Sequence, residues 1–270
     1  MAYGVTSTTL LLSFGLAPAA ASASVHLAEV GTTLASGLSH WRLGNINKRM
    51  VARLAVPGAI GAFTGAVVLS NLSAELARPL VSVFLAGLGV LLLVRFAFRA
   101  AQPVEPRRIP TRAIAPLGLV GGFLDAAGGG GWGPIVTPTL LASGRIQPRK
   151  VIGNTDASEF AVAVAASIGF FVALDFSEIS LMVVGSILLG GLLAAPLAAL
   201  LVRHLPARVL GVAVAGVIIL TNGPRALEAV GLPAPVVYVV LGAIGVAWVV
   251  AMSLAIRRSR QPTLVRPVPD

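Results

Sequence analysis

The sequence contains no cysteine, which excludes disulfide bonds and thiolate metal sites. It also carries few charges: only 11% of its residues are Asp, Glu, Lys or Arg, whereas a soluble domain usually has about 25%. Hydrophobic residues make up 56% of the chain, and the mean hydropathy is +0.92. A soluble protein this apolar would expose large hydrophobic patches to water. The composition therefore indicates an integral membrane protein.

Acidic residues are also scarce, with 10 Asp and Glu against 20 Lys and Arg, a net charge of +10. A strong basic excess can indicate nucleic-acid binding, but 18 of these basic residues fall in five clusters between apolar segments, at 42–53, 95–112, 145–150, 203–208 and 257–266. The remaining connections carry acidic residues and only two arginines; they are 71–78, 174–178 and 222–232. Under the positive-inside rule, this alternation predicts a multi-pass protein of the inner (plasma) membrane with a cytoplasmic C-terminus and no nucleic-acid partner.

Long apolar runs indicate the number of membrane crossings. A spanning helix needs about 20 mainly apolar residues, and comparable runs lie at 51–69, 80–94, 151–174, 179–202, 209–220 and 236–256. Segment 17–38 is more polar but nearly free of charge, and shorter apolar pieces lie at 5–16, 114–125 and 135–142. We therefore predict an all-α integral membrane protein, a single membrane domain over residues 1–270, with about seven full transmembrane helices plus half-helices.

The chain also contains an internal repeat. Residues 4–15 resemble residues 133–144 at an offset of 129, and after one inserted residue Glu29 aligns with Glu159. The offset of 129 returns further along, where Gly61 matches Gly190. A constant offset over such a length indicates duplication. We assign repeat one to residues 1–98, repeat two to residues 113–222, and an additional C-terminal transmembrane helix to residues 234–256.

The two repeats are predicted to have inverted topology. The loop after the segment that ends at residue 40 is basic, whereas its counterpart near residues 175–178 is acidic. Loop 71–78 carries one acidic and one basic residue, whereas its counterpart, 203–208, is basic. Equivalent loops therefore lie on opposite sides of the membrane. Inverted repeats are a common plan of secondary transporters.

Glycine and proline interrupt the helical pattern of repeat two at residues 128–134, Gly-Gly-Gly-Gly-Trp-Gly-Pro. We predict that 114–125 and 135–142 are half-helices of a re-entrant hairpin, whose freed backbone N–H groups and helix N-terminus bind an anion. Close helix packing through small residues is the alternative. Repeat one contains only the second arm, since residues 1–4 align with 130–133. Its opening half-helix would precede Met1, so we expect a longer natural reading frame.

Ionisable residues inside apolar segments are costly and mark functional pathways by default. We predict that these groups carry protons; they are Glu29, Glu159, Asp156, His26 and Asp125. A purely structural role, holding helices together by hydrogen bonds, is the alternative. His40 and His204 lie near basic loops and are assigned to topology. Trp41 and Trp248 are predicted to be interfacial anchors.

Two segments resemble the TauE/SafE family of sulfite exporters. Residues 128–138 are similar to its glycine-rich signature, and residues 39–46, Ser-His-Trp-Arg-Leu-Gly-Asn-Ile, to its short basic turn between early helices. The resemblance covers nearly the whole chain. It implies export of a small sulfur-containing anion, sulfite or an organosulfonate, linked to the proton gradient. Tyr3-Gly4 stands where a full glycine run is expected, so the two half-sites should differ.

These observations predict a secondary anion transporter that works by alternating access. The predicted substrate-binding residues are Gly129, Gly130, Gly131, Trp132, Gly133, Thr137, Asn154 and Thr155 of repeat two and Tyr3, Gly4, Ser7, Thr8 and Ser24 of repeat one. A cation or metal permease and a passive anion channel stay open. A membrane-embedded enzyme is disfavoured because no catalytic cluster is evident. No cofactor or bound metal is expected; the partners are the anion, protons and the lipid bilayer, and a homo-oligomer stays open.

Overall fold

A computed structural model of the chain describes residues 3–98, 109–143, 145–204 and 207–260. The described residues form ten α-helices and no strand, which confirms the predicted all-α fold. The helices are α1 Tyr3–Ser13, α2 Pro18–Arg42, α3 Lys48–Ser70, α4 Ala74–Phe98, α5 Thr111–Gly128, α6 Trp132–Ala142, α7 Pro148–Ala173, α8 Leu181–His204, α9 Ala207–Ala229 and α10 Ala234–Arg260.

Five of these helices, α3, α4, α7, α9 and α10, are long and apolar enough to cross a membrane. Helix α2 has 25 residues but a more polar sequence, and α8 contributes an apolar stretch, Leu181–Ala194. Large apolar side chains point outward, including Val172, Leu193 and Val239, each at least 70% exposed. Such a surface is suited to lipid and not to water. The protein is therefore a multi-pass membrane protein.

Helices α3 and α5 approach closely because glycines line their contact. A side chain at Gly122 would overlap the backbone of Gly58, and one at Gly61 would overlap the backbone of Leu119. Small residues at a helix–helix contact let two backbones approach within van der Waals distance inside a membrane. The glycines of α5 therefore serve packing and do not interrupt the helix.

Both helices of the hairpin, α5 and α6, are longer than predicted from the sequence. Helix α5 has 18 residues, which is about 27 Å at 1.5 Å per residue, so it is longer than the half-helix predicted at 114–125. Helix α6 starts at Trp132, three residues before the predicted start, so Trp132, Gly133 and Pro134 form its first turn. Proline is tolerated in a first turn because its missing N–H would have no helical acceptor there. The non-helical break is therefore Gly129–Gly131.

Helix α9 also differs from its prediction. The apolar run was expected to end at residue 220, with a loop over 222–232, but α9 continues to Ala229 through Pro224. The side chain of Asn222 donates to the carbonyl of Ile218 and to Thr9 Oγ1 of α1. These hydrogen bonds satisfy a polar side chain inside the bundle, so the polar residues after Leu220 do not end the helix.

The packing of equivalent helices is compatible with the predicted repeat. Helix α1 corresponds to α6, α2 to α7, α3 to α8 and α4 to α9 in the sequence alignment. In the structure α2 packs against its equivalent α7, and α4 packs against its equivalent α9. Helix α2 also contacts α8, and α7 contacts α3. The two repeats therefore interleave. Their boundaries and inverted orientation stay predictions.

The predicted anchors differ in their surroundings. Trp41 is 58% exposed at the end of α2, as an interfacial anchor requires. Trp248, by contrast, is half-buried between α10 and α9, where its indole N–H donates to Val212 O at 2.9 Å. Trp248 therefore fastens α10 to α9. His204 is the last residue of α8, and its side chain lies outside the described part.

Candidate transport site

The site is built around the carboxylate of Asp125, which holds the break between α5 and α6. Its Oδ1 accepts the backbone N–H groups of Gly131 at 2.6 Å and Trp132 at 2.8 Å. The residue is 1% exposed. A carboxylate is a favourable partner for a helix N-terminus because it meets free N–H groups and the positive end of the helix dipole. These two amides were predicted to be free for an anion; that expectation is wrong, since Asp125 occupies them.

Glycine is required at two positions of the break. Gly129 has φ +73° and Gly130 has φ +130°, a region that residues with a side chain rarely adopt. The N–H of Gly130 donates to Asp125 O at 2.8 Å, which closes the end of α5. The backbone of the break is therefore fixed by Asp125 through both its carbonyl and its carboxylate.

Helix α1 of repeat one lies directly against this break. The hydroxyl of Thr8 donates to Gly129 O. A side chain at Gly130 would overlap the backbone of Gly4 and Val5, and a Cβ on Gly4 would lie 3.2 Å from the Cα of Gly130. The starts of the two equivalent half-helices therefore meet through glycine. The site therefore contains backbone from both predicted repeats.

A buried histidine pairs with Asp125 from the other side. His26 Nε2 lies 3.2 Å from Asp125 Oδ2, and neither side chain is more than 2% exposed. His26 Nδ1 donates to Ser22 O at 2.8 Å, so Nε2 meets the carboxyl either as the N–H of an imidazolium or as the acceptor from a protonated acid. In both forms the pair shares one proton. Ser22 adds a second link, because its hydroxyl donates to Ala126 O at 2.7 Å.

Glu29 stands apart from this hydrogen-bonded pair. It is 4% exposed, and its Oε2 has no hydrogen-bond partner among the described residues. Its other oxygen, Oε1, lies next to Gly4, where a Cβ would approach it to 2.6 Å. Glu29 can present one ligand atom within 4.8 Å of those of His26 and Asp125. An unpartnered buried carboxyl oxygen costs about 1–3 kcal/mol, so Glu29 does not serve to stabilise the fold through this oxygen.

Four carboxyl groups line one cavity of about 470 Å³, which we call the central cavity. Its walls contain no Lys or Arg among the described residues. They consist of Tyr3, Gly4, Val5, Glu29, Thr32, Thr33, Ser36, Asp125, Gly130, Gly131, Gly133, Pro134, Asp156, Glu159 and Gly191. The two glutamates that align in the sequence repeat, Glu29 and Glu159, therefore face the same space. A volume of this size suits a small molecule.

Asp156 faces the same cavity but has partners of its own. The hydroxyl of Ser36 donates to its Oδ2 at 2.7 Å, and His40 Nε2 lies 3.6 Å from the same oxygen. The repeat alignment made Asp156 the counterpart of His26. In the structure the two do not pair with each other: His26 pairs with Asp125, and Asp156 pairs with the far end of α2. His40, assigned to topology from the sequence, is thus also a neighbour of Asp156.

Nine predicted site residues do not line the central cavity: Ser7, Thr8, Ser24, His26, Gly129, Trp132, Thr137, Asn154 and Thr155. Ser24 donates to Ala20 O within its own helix. Trp132 is fully buried and donates its indole N–H to Thr155 O at 3.1 Å. Thr137 and Thr155 are buried, and their hydroxyl groups lack a partner among the described residues. Spacing along one helix could not distinguish a side chain that lines the cavity from one that does not.

Sequence reasoning missed several polar residues around the site. Thr33 and Ser36 line the cavity from α2, and Thr9 with Asn222 joins α1 to α9. The sequence did contain one indication for Thr33 and Ser36. They follow Glu29 at intervals of four and three residues, so the three side chains share a helix face. Ser22 was not among the predicted site residues, yet its hydroxyl donates to Ala126 O of the hairpin, whereas Ser24 donates within its own helix.

A second cavity, of about 420 Å³, lies at the N-terminal ends of α3 and α7, and we call it the basic cavity. Its lining residues are Asn47, Arg49, Met50, Arg53, Ile109, Arg145, Ile146, Gln147, Lys150 and Asn154. No carboxylate is among them. Asn154, predicted for the central site, lies here instead, and its Oδ1 accepts the backbone N–H of Asn47 at 2.6 Å.

Comparisons with known proteins agree with this picture of a membrane transporter. The model of the family "Sulfite exporter TauE/SafE" matches residues 1–223. The Bacillus subtilis (strain 168) protein named "Probable membrane transporter protein YtnM" is 46% identical over 275 residues, covering 100% of this chain and 91% of that protein. A second protein of that strain, "Probable membrane transporter protein YdhB", is 29% identical over 142 residues, covering 52% of this chain and 58% of its own length. No solved structure matches. The chain is a membrane transporter that belongs to the sulfite exporter TauE/SafE family.

Proposed function

We propose that this protein is a secondary transporter that exports a small sulfur-containing anion, sulfite or an organosulfonate, together with protons. The observation that carries the proposal is the central cavity, whose wall combines the broken backbone of both repeats with the repeat-related pair Glu29 and Glu159. Broken helices at the interface of two repeats are where secondary transporters hold substrate. The family match supports an anion of sulfur as the substrate class.

The charge of the cavity wall supports coupling to protons. Four carboxyl groups and no Lys or Arg line it within the described part of the chain. At an effective dielectric constant of about 20, each like charge roughly 8 Å away opposes an anion by about 2 kcal/mol. An anion therefore binds well only when carboxyl groups are protonated. Because linkage is reciprocal, the bound anion also favours protonation, so anion and proton occupy the site together.

Protonated glutamates would also supply the hydrogen bonds that an oxyanion needs. The hydroxyls of Thr33 and Ser36 already donate to Glu29 O and to Asp156. A neutral carboxyl gains one O–H donor, whereas a carboxylate can only accept. The unpartnered Oε2 of Glu29 is suited to this role. In this scheme the proton that removes the repulsion also contacts the substrate.

The arrangement of the half-helices supports a mechanism of alternating access. Helices α1 and α6 both start at the central cavity and run away from it, and the chain pairs α2 with α7 beside them. Movement of one repeat against the other would open the cavity first to one side and then to the other. By the positive-inside rule, the ends that carry the basic cavity and the end of α10 face the cytoplasm of the plasma membrane.

A divalent-cation permease is the second candidate, and one observation favours it. His26, Glu29 and Asp125 can each bring a ligand atom within 4.8 Å of the others. Imidazole and carboxylate are common metal ligands. Asp125, however, already uses Oδ1 for two amides and Oδ2 for His26. An ion would have to replace the His26 contact.

Flux into proteoliposomes separates the candidates. Radiolabelled sulfite, thiosulfate, sulfoacetate and a divalent cation would be compared with and without a pH gradient, and with a protonophore to detect a passive channel. We expect sulfur-anion flux that responds to the pH gradient and loses that response in Glu29→Gln and Glu159→Gln. Glu75→Gln, the same change at an exposed position in α4, is the matched control. Flux of the cation alone would overturn the proposal, and so would an unchanged pH response in both variants.

A further inference from the structure

We propose that the basic cavity is a vestibule that binds the transported oxyanion before it enters the central cavity. This inference rests on the proposed function for the identity of the anion. The wall of the basic cavity contains Arg49 and Arg53 of α3, and Arg145 and Lys150 beside the N-terminus of α7. None of these four side chains forms an ion pair with a carboxylate in the described residues. Four cations around one concave space form a site for an anion.

The position of these cations on their helices strengthens the case. Helix α3 begins at Lys48 and α7 at Pro148, and neither has an acidic residue in its first turn. The N-terminus is the positive end of a helix dipole, where anions are favoured and cations are not. Arg49 and Arg53 are also four residues apart, so like charges share one helix face. An anion between the two helix ends would relieve both unfavourable arrangements.

A buried amide provides an independent observation. Asn154 lines the cavity, is 1% exposed, and uses its Oδ1 to accept the backbone N–H of Asn47. Its Nδ2 has no hydrogen-bond partner among the described residues. The side chain therefore offers a fixed N–H donor in the wall of a cationic cavity. A donor held in place by a backbone contact is what an oxyanion site requires.

The vestibule lies near the central cavity along helix α7. Asn154 lines the basic cavity, and Asp156 and Glu159 of the same helix line the central one. Five residues of helix correspond to about 7.5 Å. An oxyanion with two or three charged oxygens could thus be concentrated next to the acidic cavity and then transferred as that cavity takes up protons.

Two double variants test the vestibule with the same loss of charge at the same helix ends. Arg49→Gln/Lys150→Gln removes two cations that line the cavity. Lys48→Gln/Arg149→Gln removes their sequence neighbours, which do not line it. In oriented proteoliposomes the first pair should raise the KM for sulfite offered at the basic end by about tenfold, the size expected for a lost charge-assisted contact. The maximal rate and the KM from the opposite side should change less than about twofold.

The control pair should stay within about twofold of the unmodified protein in both parameters. An equal rise in KM for the two pairs would overturn the vestibule, because a general field of positive charge would then explain the effect. A fall in maximal rate without a change in KM would also overturn it. Binding of radiolabelled phosphate to the purified full chain is measured in parallel, so that the cavity is tested even if sulfite is not transported at all.

The competing source of the same chemistry is a lipid phosphate. Native mass spectrometry of the protein in phosphatidylglycerol counts retained lipids for both double variants. Loss of bound phosphatidylglycerol only in Arg49→Gln/Lys150→Gln, with KM unchanged, would overturn the vestibule in favour of a lipid site. Weaker phosphate binding and a higher KM, with the same number of retained lipids, would support it.

Discussion

The two cavities of this protein are similar in volume and opposite in charge. The central cavity, about 470 Å³, is lined by four carboxyl groups, and the basic cavity, about 420 Å³, by four cationic side chains. The cations lie at helix ends, where their charges can stay hydrated and unpaired. Deep carboxyl groups must instead be neutralised or hydrogen-bonded, since burial of an isolated charge is prohibitive. On the proposed function, location in the bundle therefore separates the groups that carry protons from those that attract the anion.

The four carboxyl groups of the central cavity differ from one another in their hydrogen-bond partners. Asp125 is held by two amides and His26, and Asp156 by Ser36 and His40. Glu29 Oε2 has no hydrogen-bond partner within the described chain, and the carboxyl group of Glu159 forms no hydrogen bond there. A group with satisfied hydrogen bonds stabilises structure, whereas an unsatisfied one is free to exchange a proton. From this contrast we propose that the glutamates carry the coupling protons and that the aspartates stabilise the structure.

The largest expected effect on sulfite flux comes from a side chain added to the glycine break that lines the central cavity. Gly130→Ala adds a side chain at φ +130° against the backbone of Val5, so the break and α1 must shift apart. A displacement of about 1 Å at such a site can cost about 100-fold in rate, and we expect sulfite flux to fall to that extent. Gly87→Ala, at a helical position with open space around it, is the control and should transport normally. Normal flux in Gly130→Ala would show that the break is not part of the site.

The second-largest effect is expected at Asp125, where two variants distinguish a structural role from proton coupling. Asp125→Ala leaves two buried N–H groups and His26 without a partner, so we expect a loss of about 3 kcal/mol in stability. Asp125→Asn keeps one oxygen to accept the amides and should lose about 1 kcal/mol or less. Thermal unfolding in detergent measures both. If Asp125→Asn folds but loses the response of flux to pH, Asp125 is a proton carrier and the contrast with the glutamates is wrong.

Salt should affect the two cavities unequally. Raising the ionic strength from 0.1 M to 1 M shortens the Debye length from about 10 Å to about 3 Å. The KM for sulfite offered at the basic end should then rise by about threefold, because screened cations attract the anion less. The pH response, which depends on buried glutamates, should stay the same. An equal rise in Arg49→Gln/Lys150→Gln would contradict a role for these cations.

The smallest effect is expected at Asp156. This side chain is 24% exposed and has Ser36 and His40 as partners. A partly exposed ion pair contributes less than about 1 kcal/mol, so Asp156→Asn should change flux by less than about fivefold and leave the pH response in place. The measurement is the same flux assay, with Glu159→Gln on the same helix as the reference. A larger loss in Asp156→Asn than in Glu159→Gln would reverse the proposed ranking.

The sequence predicted the elements of the site better than their contacts. The glycine run located the break, and Glu29 and Glu159, which the repeat aligns, line the same cavity. The sequence could not show which of Ser22 and Ser24 faces the hairpin. Two residues apart, they are separated by about 200° around a helix, and only the position of α5 decides that Ser22 touches the hairpin. The same limit applies to Asn154, which faces the basic cavity, while Asp156 faces the central one.

Composition, charge alternation and the repeat by themselves determined that this chain is an all-α membrane protein with a broken helix at the glycine run. These properties depend on local features: hydropathy sets membrane crossing, and glycine permits a backbone with positive φ. Only the tertiary structure decided that Asp125 occupies the free amides of α6 and that the acidic and basic groups form two separate cavities. Those outcomes depend on which helix faces meet, and small residues such as Gly58, Gly61 and Gly122 set that packing through contacts distant in sequence.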